Sequence, residues 1–341
     1  MNSVTNHTDR RAARRLRVVA VLSLLVAALP MAAPAQAAAP VGGQRIMTFN
    51  YCGAGCAGGS FPSNTHVFAF LDQIDAFKPR AILVSEICES QANDIVTRSQ
   101  SDSRTWPLKV LFTPIGANGS ATRPGCPLGN DEGFGNAIFI PESKSFGTVS
   151  VLKLTADETG TPDQPGAKHP QTITCADVDS FAYPAVVCNT HIAPSNTPTK
   201  PNLIATQIQT ATDFAYGHAG GKALIFGGDM NAVPNSAALS GVYSSGTPAG
   251  TGHFEEIDNC HPNARRVPAP GDSDYSRCNV PTHGFGAGDN PKKIDYIFLK
   301  KGYFKGDNDV DDFSSTVISM PGSDHRLLQG SVNICDGSPG C

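Results

Sequence analysis

Gly227-Gly228-Asp229-Met230-Asn231 follows directly on the apolar run Ala223-Leu224-Ile225-Phe226. A short, continuously hydrophobic run reads as a buried β-strand. Two glycines at its end let the chain turn sharply, since neither carries a Cβ. A carboxylate and, two residues on, a carboxamide then face out at a strand end, where α/β sheets commonly carry catalytic groups. The carboxylate can hold a cation or take a proton from water, and the amide can donate to a phosphate. Alone, Asp-x-Asn after a strand reads first as a turn with an Asx cap. The rest of the chain decides between turn and site.

Outward from this stretch, Leu203, Ile204, Gln207, Ile208, Ala211 and Phe214 recur at helical spacing and predict an amphipathic helix. Val67, Phe70, Leu71, Ile74 and Phe77 predict another, capped at Ser63 or Asn64 and stopped by Pro79. A short helix is expected over 90–98. Strands are expected at 44–50 (QRIMTFN), 81–85, 110–113, 136–140, 148–154, 172–176 and 185–189. After the 223–226 strand come 293–299, 314–319 and a closing strand at 327–334. Two polar segments, 116–132 and 241–291, interrupt them, and the second is long enough to shape a surface or a site. Strands outnumber helices, which fits two packed sheets with helices outside, in one domain over 40–341. The acidic run Asp307-Asn308-Asp309-Val310-Asp311-Asp312 imitates a calcium loop. It lacks the glycine and glutamate that such a loop needs, and reads as solvated.

Residues 1–39 stand apart. Arg10, Arg11, Arg14, Arg15 and Arg17 precede an apolar core at 18–29. Ala33-Pro34-Ala35 or Ala35-Gln36-Ala37 then offers a small-residue cleavage site, the pattern of a secretory signal peptide. The apolar core, about twelve residues, is short for a membrane span. The paired arginines resemble a twin-arginine signal, although the residues after Arg15 fit that pattern poorly. A soluble, secreted, extracellular protein is expected. The whole chain of 341 residues carries a net charge of −4, with 26 Lys+Arg against 30 Asp+Glu. The leader takes five of the basic residues and one of the acidic ones, so the remainder is more acidic still. That balance argues against a broad basic stripe for sequence-independent nucleic-acid binding, but leaves room for a nuclease whose acidity sits in a cation site.

All ten cysteines follow the leader. An even count in an exported chain points to disulfides, with Cys335–Cys341, Cys260–Cys278 and Cys52–Cys56 paired by proximity. Cys260, His261, Cys278 and His283 are the alternative, a zinc site of unfamiliar spacing.

One context recurs. Asn50, Glu86, His191, Asp229 with Asn231, and Asp324 with His325 each stand at or just past the end of an apolar strand, and Asp295 lies within one. Each has a bland alternative: Glu86 as a helix cap, Asn50 as a turn residue, His191 as a structural histidine. Asp295, inside IDYIF, needs a buried partner in any reading. Several carboxylates and two histidines at strand ends point to a convergent site. His66, His169, His218 and His253 read as surface or loop residues.

The ordered pieces TFN ending at Asn50, LVSE ending at Glu86, GNAIF at 135–139, NTH ending at His191, GGDMN at 227–231, KIDYIF at 293–298 and SDH at 323–325 resemble the endonuclease/exonuclease/phosphatase superfamily. The resemblance covers nearly all of the chain after the leader. It implies a four-layer α/β/β/α sandwich of two mixed sheets with helices outside. It also implies that Asn50, Glu86 and Asp324 surround a divalent cation, Mg²⁺ or alternatively Mn²⁺ or Ca²⁺, as hard oxygen ligands would. Asp229 would orient or deprotonate the attacking water, and Asn231 would place the phosphate. His325, fixed by Asp295, would contact the phosphate in the transition state, and His191 would bind it from the other side or protonate the leaving oxygen. His283, in Pro281-Thr282-His283 near a family-like segment before KIDYIF, is expected to approach substrate. The reaction implied is in-line attack of water on phosphorus.

Within that superfamily, histidine at 191 resembles the deoxyribonuclease-like branch, so nucleic acid, DNA first, is the expected substrate. Phospholipid or a phosphorylated small molecule is the alternative. The polar loops offer no aromatic–apolar hairpin for a bilayer, and Arg123, Arg265, Arg266 and Arg277 are the phosphate-contact candidates. A catalytically silent binding protein is a third reading, opposed by the full set of acids and bases. No stable protein partner is implied, and a monomer is expected.

Overall fold

The computed structural model describes residues 41–53, 64–101, 103–115, 126, 133–155, 171–196, 200–244, 251–258, 281–284, 290–305 and 314–335. The leader, the acidic run at 307–312, His169, Arg123, Arg265, Arg266, Arg277, Cys56, Cys260, His261, Cys278 and Cys341 lie outside them.

Two sheets face each other. The strands are β1 (Val41–Asn50), β2 (Ala81–Cys88), β3 (Leu108–Pro114), β4 (Phe134–Pro141), β5 (Phe146–Lys153), β6 (Thr172–Val178), β7 (Ala185–His191), β8 (Ala223–Asp229), β9 (Phe254–Glu256), β10 (Asp295–Lys300), β11 (Phe304–Lys305), β12 (Ser314–Ser319) and β13 (Arg326–Ile334). One sheet is seven-stranded in the order β11-β13-β1-β2-β4-β3, with β12 added on β13; the other is six-stranded, β5-β6-β7-β8-β10-β9. The helices α1 (Asn64–Phe77), α2 (Glu89–Ser101) and α3 (Leu203–Ala219) lie outside. Strand β9, inside the long segment read as irregular, and the two-residue β11 escaped the sequence pattern because both are too short to show a period.

Three apolar layers hold this together. Ile46, Leu83, Ile138, Val187, Ile225 and Ile297 fill the space between the sheets. Phe70, Leu71 and Ile74 of α1 cover the outer face of the first sheet with Met47, Ile82 and Phe139. Ile208, Ala211 and Ala215 of α3 cover the second with Cys175, Leu224 and Phe298. This is the four-layer sandwich. His66 departs from its expected surface place: it is buried on α1, stacked with Phe49, edge-on to Tyr51, and hydrogen-bonded to Pro321 O.

Two disulfides join described residues, Cys88–Cys126 and Cys175–Cys188. The second follows from register, since Cys175 faces Cys188 across the β6–β7 ladder. Cys52 and Cys335 are also disulfide-bonded. Cys56 and Cys341, their expected partners, and the expected Cys260–Cys278 pair lie outside the described residues.

Gly227 and Gly228 do not make the turn expected of them; they lie inside β8, paired on both sides. A Cβ on Gly227 would stand 2.3 Å from Tyr296 O, and one on Gly228, at φ 118°, would stand 1.9 Å from Thr190 O. The glycines therefore let three strands close up, and the turn begins only after Asp229. Gly228→Ala is expected to cost about 3 kcal/mol or more in a urea melt, the range for strained backbone combined with overpacking. Gly217→Ala, at an open helical position with nothing within 4 Å of its Cβ, is expected to add about 0.5–1 kcal/mol.

Candidate active site

All eight polar positions marked in the sequence gather at one end of the sandwich. In the first sheet β1 and β2 run parallel, with Asn50 beside Ser85. In the second, His191 is in register with Asp229, and Asp229 with Asp295. Three titratable groups thus form one row across three adjacent strands. Backbone bonds from Ile192 N to Asp229 O (2.9 Å) and Met230 N to Ile294 O (2.9 Å) fix the row where the strands end.

Local backbone departures aim two side chains. Between the pairs Val84↔Ala137 and Ile87↔Gly135, Ser85 and Glu86 together face Asn136. Such a two-against-one bulge bends the strand and re-aims its side chains. Glu86 sits there at φ 53°, and Asn231 follows Asp229 at φ 46°. Both are left-handed positions that non-glycine residues seldom occupy, found preferentially at functional sites. The Asx turn is real as well: Asn231 N–H donates to Asp229 Oδ1 at 2.8 Å. Turn and site are the same structure.

The side chains meet through a continuous set of contacts. Asn50 Nδ2 donates to Glu86 Oε1 (3.2 Å) and to Asp229 Oδ2 (3.1 Å). His191 Nε2 lies 3.6 Å from each of those two oxygens. His325 Nδ1 bonds Asp295 Oδ2 at 2.8 Å, and its Nε2 stands 3.8 Å from Asp229 Oδ2 and 4.0 Å from Asp324 Oδ1. Asp324 in turn reaches His283 Nε2 at 3.6 Å. His283 therefore joins the site.

Two residues have partners that differ from the sequence expectation. The oxygen of Asn50, the atom a cation would use, accepts from Cys52 N–H at 3.1 Å, so its amide nitrogen is what faces the carboxylates. Asn231 spends its amide hydrogens on Ile192 O (2.7 Å) and His191 Nε2 (3.2 Å).

Supporting residues escaped the sequence reading. Ser323 donates to Asn50 O (2.9 Å) and accepts from His325 N–H (3.0 Å), tying the SDH turn to the end of β1. Thr282 Oγ1 accepts from Ile294 N–H (3.1 Å) and Asp295 N–H (3.0 Å). Beside β10, the buried ammonium of Lys293 sits 2.9 Å from Glu256 and 2.8 Å from Asp258. The SDH and THG strings carried Ser323 and Thr282 in view, but a hydroxyl that only holds backbone has no periodic signature.

The electrostatics separate the groups. Burial raises the Asp229 carboxyl above the usual range, and Asp295 adds to the effect, while His191 and His325 oppose it. For His325, burial works against the charge, but Asp295, with Asp229 and Asp324 behind it, outweighs it and pushes the imidazole up to about 10. Burial raises Asp324 as well, yet His283 and His325 more than offset it, leaving that carboxyl below its ordinary value.

The donor set suits a hard divalent cation. Glu86 Oε1 and Asp229 Oδ2 share one amide and one imidazole as neighbours, an unfavourable closeness for two carboxylates that a cation relieves. Glu86 keeps its side chain 23% exposed, against 2% for Asp229. Two trios also place ligand atoms within 4.8 Å of one another: Asp229, Asp295 and His325, and His283, Asp324 and His325. In the first, the His325–Asp295 hydrogen bond already compensates charge.

A family model described as Endonuclease/Exonuclease/phosphatase family matches residues 51–325. The chain has no significant match among curated proteins. The human nocturnin catalytic domain, solved with a bound sulfate anion, is similar at 17% identity and TM-score 0.55, over 86% of this chain and 93% of that one. Truncated TDP2 from Caenorhabditis elegans is similar at 13% identity and TM-score 0.54, over 85% and 97%. A family protein from Bacteroides thetaiotaomicron is similar at 12% identity and TM-score 0.56, over 87% and 99%. At these identities the structures establish a shared fold.

The His325–Asp295 pair makes stability depend on pH. An imidazole held near 10 when folded and at 6.5 when unfolded contributes fully below pH 6.5. The contribution is lost as the pH climbs through about 10. The stability gap between the protein and its Asp295→Asn variant is therefore expected to narrow across that window in denaturant titrations. NMR titration of the variant is expected to show His325 losing its proton well below the wild-type value.

Proposed function

Because the chain belongs to the endonuclease/exonuclease/phosphatase family of metal-dependent phosphoesterases, we propose that it is a secreted phosphodiesterase whose substrate is nucleic acid, DNA first. The observation that carries this reading is the single row of His191, Asp229 and Asp295 joined to Glu86 through Asn50. With His325 held charged by Asp295, it sets a buried base, a cationic imidazole and a partly exposed carboxylate around one space. Oxidised cysteines favour an oxidising compartment, and no helix among the described residues is long and apolar enough to cross a membrane.

In this proposal Glu86 and Asp324, with Asn50 beside them, hold the cation, Mg²⁺ first. When bound it neutralises a phosphate oxygen and the charge developing there. The protein's own groups do the rest. Asp229, its carboxyl raised by burial, takes the proton of a water aligned with phosphorus. The bond from water oxygen to phosphorus forms as the ester P–O bond breaks. His325, kept charged by Asp295, donates from Nε2 to a phosphoryl oxygen, an electrostatic term preset before the substrate arrives. His191 takes the opposite side of the phosphate; its Nε2 accepts from Asn231 at rest, and once that nitrogen takes up a proton in place of this bond it passes the proton to the leaving oxygen. Asn231 holds the His191 ring by its amide.

Purified protein with Mg²⁺ is expected to cleave plasmid DNA, to stop when the cation is chelated, and to leave sphingomyelin vesicles and inositol phosphates intact. Turnover of lipid alone would overturn the substrate assignment, and no turnover anywhere would favour a silent binding protein. Asp229→Ala and His325→Ala are each expected to lower kcat at least about a hundredfold with the fold retained by circular dichroism. Wild-type rates in either would refute the roles.

A further inference from the structure

Behind the charged row lies a second polar set, several of whose atoms have no partner among the described residues. Ser85, Asn136, Thr172 and Asn189 are each at most 2% exposed. Among the described residues, Ser85 Oγ, both amide atoms of Asn136, Thr172 Oγ1 and Asn189 Oδ1 are buried without a hydrogen-bond partner, and so is Nδ1 of His191. Buried polar atoms in folded proteins are almost always satisfied, by protein or by ordered water.

Strand alternation and register bring these atoms together. Leu83, Ile138, Ala176 and Val187 belong to the core between the sheets. Ser85, Asn136, Thr172, Asn189 and His191 stand at even spacings from them and point into the same layer. The bulge sets Asn136 opposite Ser85 and Glu86. Its ladder partner Thr113 accepts from Thr174 Oγ1 of the other sheet at 2.8 Å. Thr174 pairs with Asn189, whose Nδ2 crosses back to Val84 O (2.8 Å) and Ala137 O (3.0 Å). These crossings clamp the sheets at one level. Thr172 and His191 are the next inward-facing residues toward the rim.

The tautomer of His191 gives this layer its significance. Asn231 Nδ2 is identified as nitrogen by its bond to Ile192 O, and its other hydrogen points at His191 Nε2. Nε2 therefore accepts, and Nδ1 carries a hydrogen into the polar layer. A buried donor left unsatisfied costs about 1–3 kcal/mol. Asn136 Oδ1, Thr172 Oγ1 and Ser85 Oγ give a water the two to four polar partners it needs.

We propose that Asn136, with Thr172 and Ser85, holds ordered water between the two sheets and through it fixes the Nδ1–H of His191, making Asn136 a positioning residue for that ring. The inference rests on His191 facing the phosphate, as in the function proposed above. It gives the two histidines different supports: His325 leans on a carboxylate, His191 on neutral, hydrated groups.

A high-resolution crystal structure is expected to show water bonded to both Asn136 and His191 Nδ1. In Asn136→Leu the water should be gone and the side-chain ¹⁵N shifts of His191 should move toward a tautomer mixture. On DNA, kcat should fall about tenfold with KM unchanged, the size of a lost supporting partner. Asn136→Asp, which keeps an acceptor, should restore the Nδ1–H signal. Should Asn136→Leu not fold, Thr172→Val removes another partner of the same water and should shift the same resonances. A dry gap in the crystal, or His191 resonances unmoved in the folded variant, overturns the proposal. The crystal and NMR readouts need no turnover, so this inference and the phosphodiesterase reading can fail separately.

Discussion

His191, Asp229 and Asp295 stand shoulder to shoulder on three paired strands, and no other feature constrains the molecule more. Two carboxylates and an imidazole in one buried row carry a desolvation cost of several kcal/mol per uncompensated charge. The row is tolerable only because each member is answered: Asp295 by His325, Asp229 by the Asn50 amide and the Asn231 backbone, and His191 by the Asn231 amide. Its closeness requires glycine at 227 and 228, since any side chain there would strike the neighbouring backbone. The glycine pair, the charged row and the SDH turn are thus one structural commitment.

The inner faces of the sheets show how a stable sandwich carries such a row. For most of their length they are Ile, Leu, Val and Ala, and that layer supplies the favourable burial. Toward the site the last inward positions, Ser85, Asn136, Asn189 and His191 among them, turn polar. Rigid strands hold the groups, and two of the left-handed residues bear on the site: Glu86 at the bulge within β2 and Asn231 just past the end of β8. A bulge moves Glu86 outward without disturbing the apolar rows behind it. Precision comes from the ladders, and access comes from the bulge.

Much of this was legible in the sequence, for physical reasons. Continuous apolar runs reveal buried strands, and a polar residue ending each run marks the edge where burial stops. Hence Asn50, Glu86, His191, Asp229, Asp295, Asp324 and His325 could be picked out before their partners were known. What the pattern could not show was partnership. Nothing local says that the Asn50 oxygen serves Cys52, that Asn231 turns its amide on His191, or that Cys175 faces Cys188. Those depend on register between strands distant in the chain. The glycines misled because a glycine pair before a polar residue looks the same whether it bends the chain or lets strands approach. His66 misled because a histidine at the start of a helix gives no sign of the aromatic cluster that buries it.

Charge supplies the last step. Glu86, Asp229, Asp295 and Asp324 bring four carboxylates into one linked set, and His325 neutralises only one of them in full. A phosphodiester entering this space is itself an anion, and every unscreened carboxylate repels it. Apart from the bond between His325 and Asp295, the amide and backbone hydrogen bonds orient the acids but add no positive charge. The cation is therefore required twice over, to let Glu86 and Asp229 stay ionised side by side and to let an anionic substrate approach them. Asn50 fits this logic as the group that spaces the two carboxylates: its two amide hydrogens hold Glu86 Oε1 and Asp229 Oδ2 at a fixed separation, while Asp229 Oδ1 is held by the Asn231 backbone N–H.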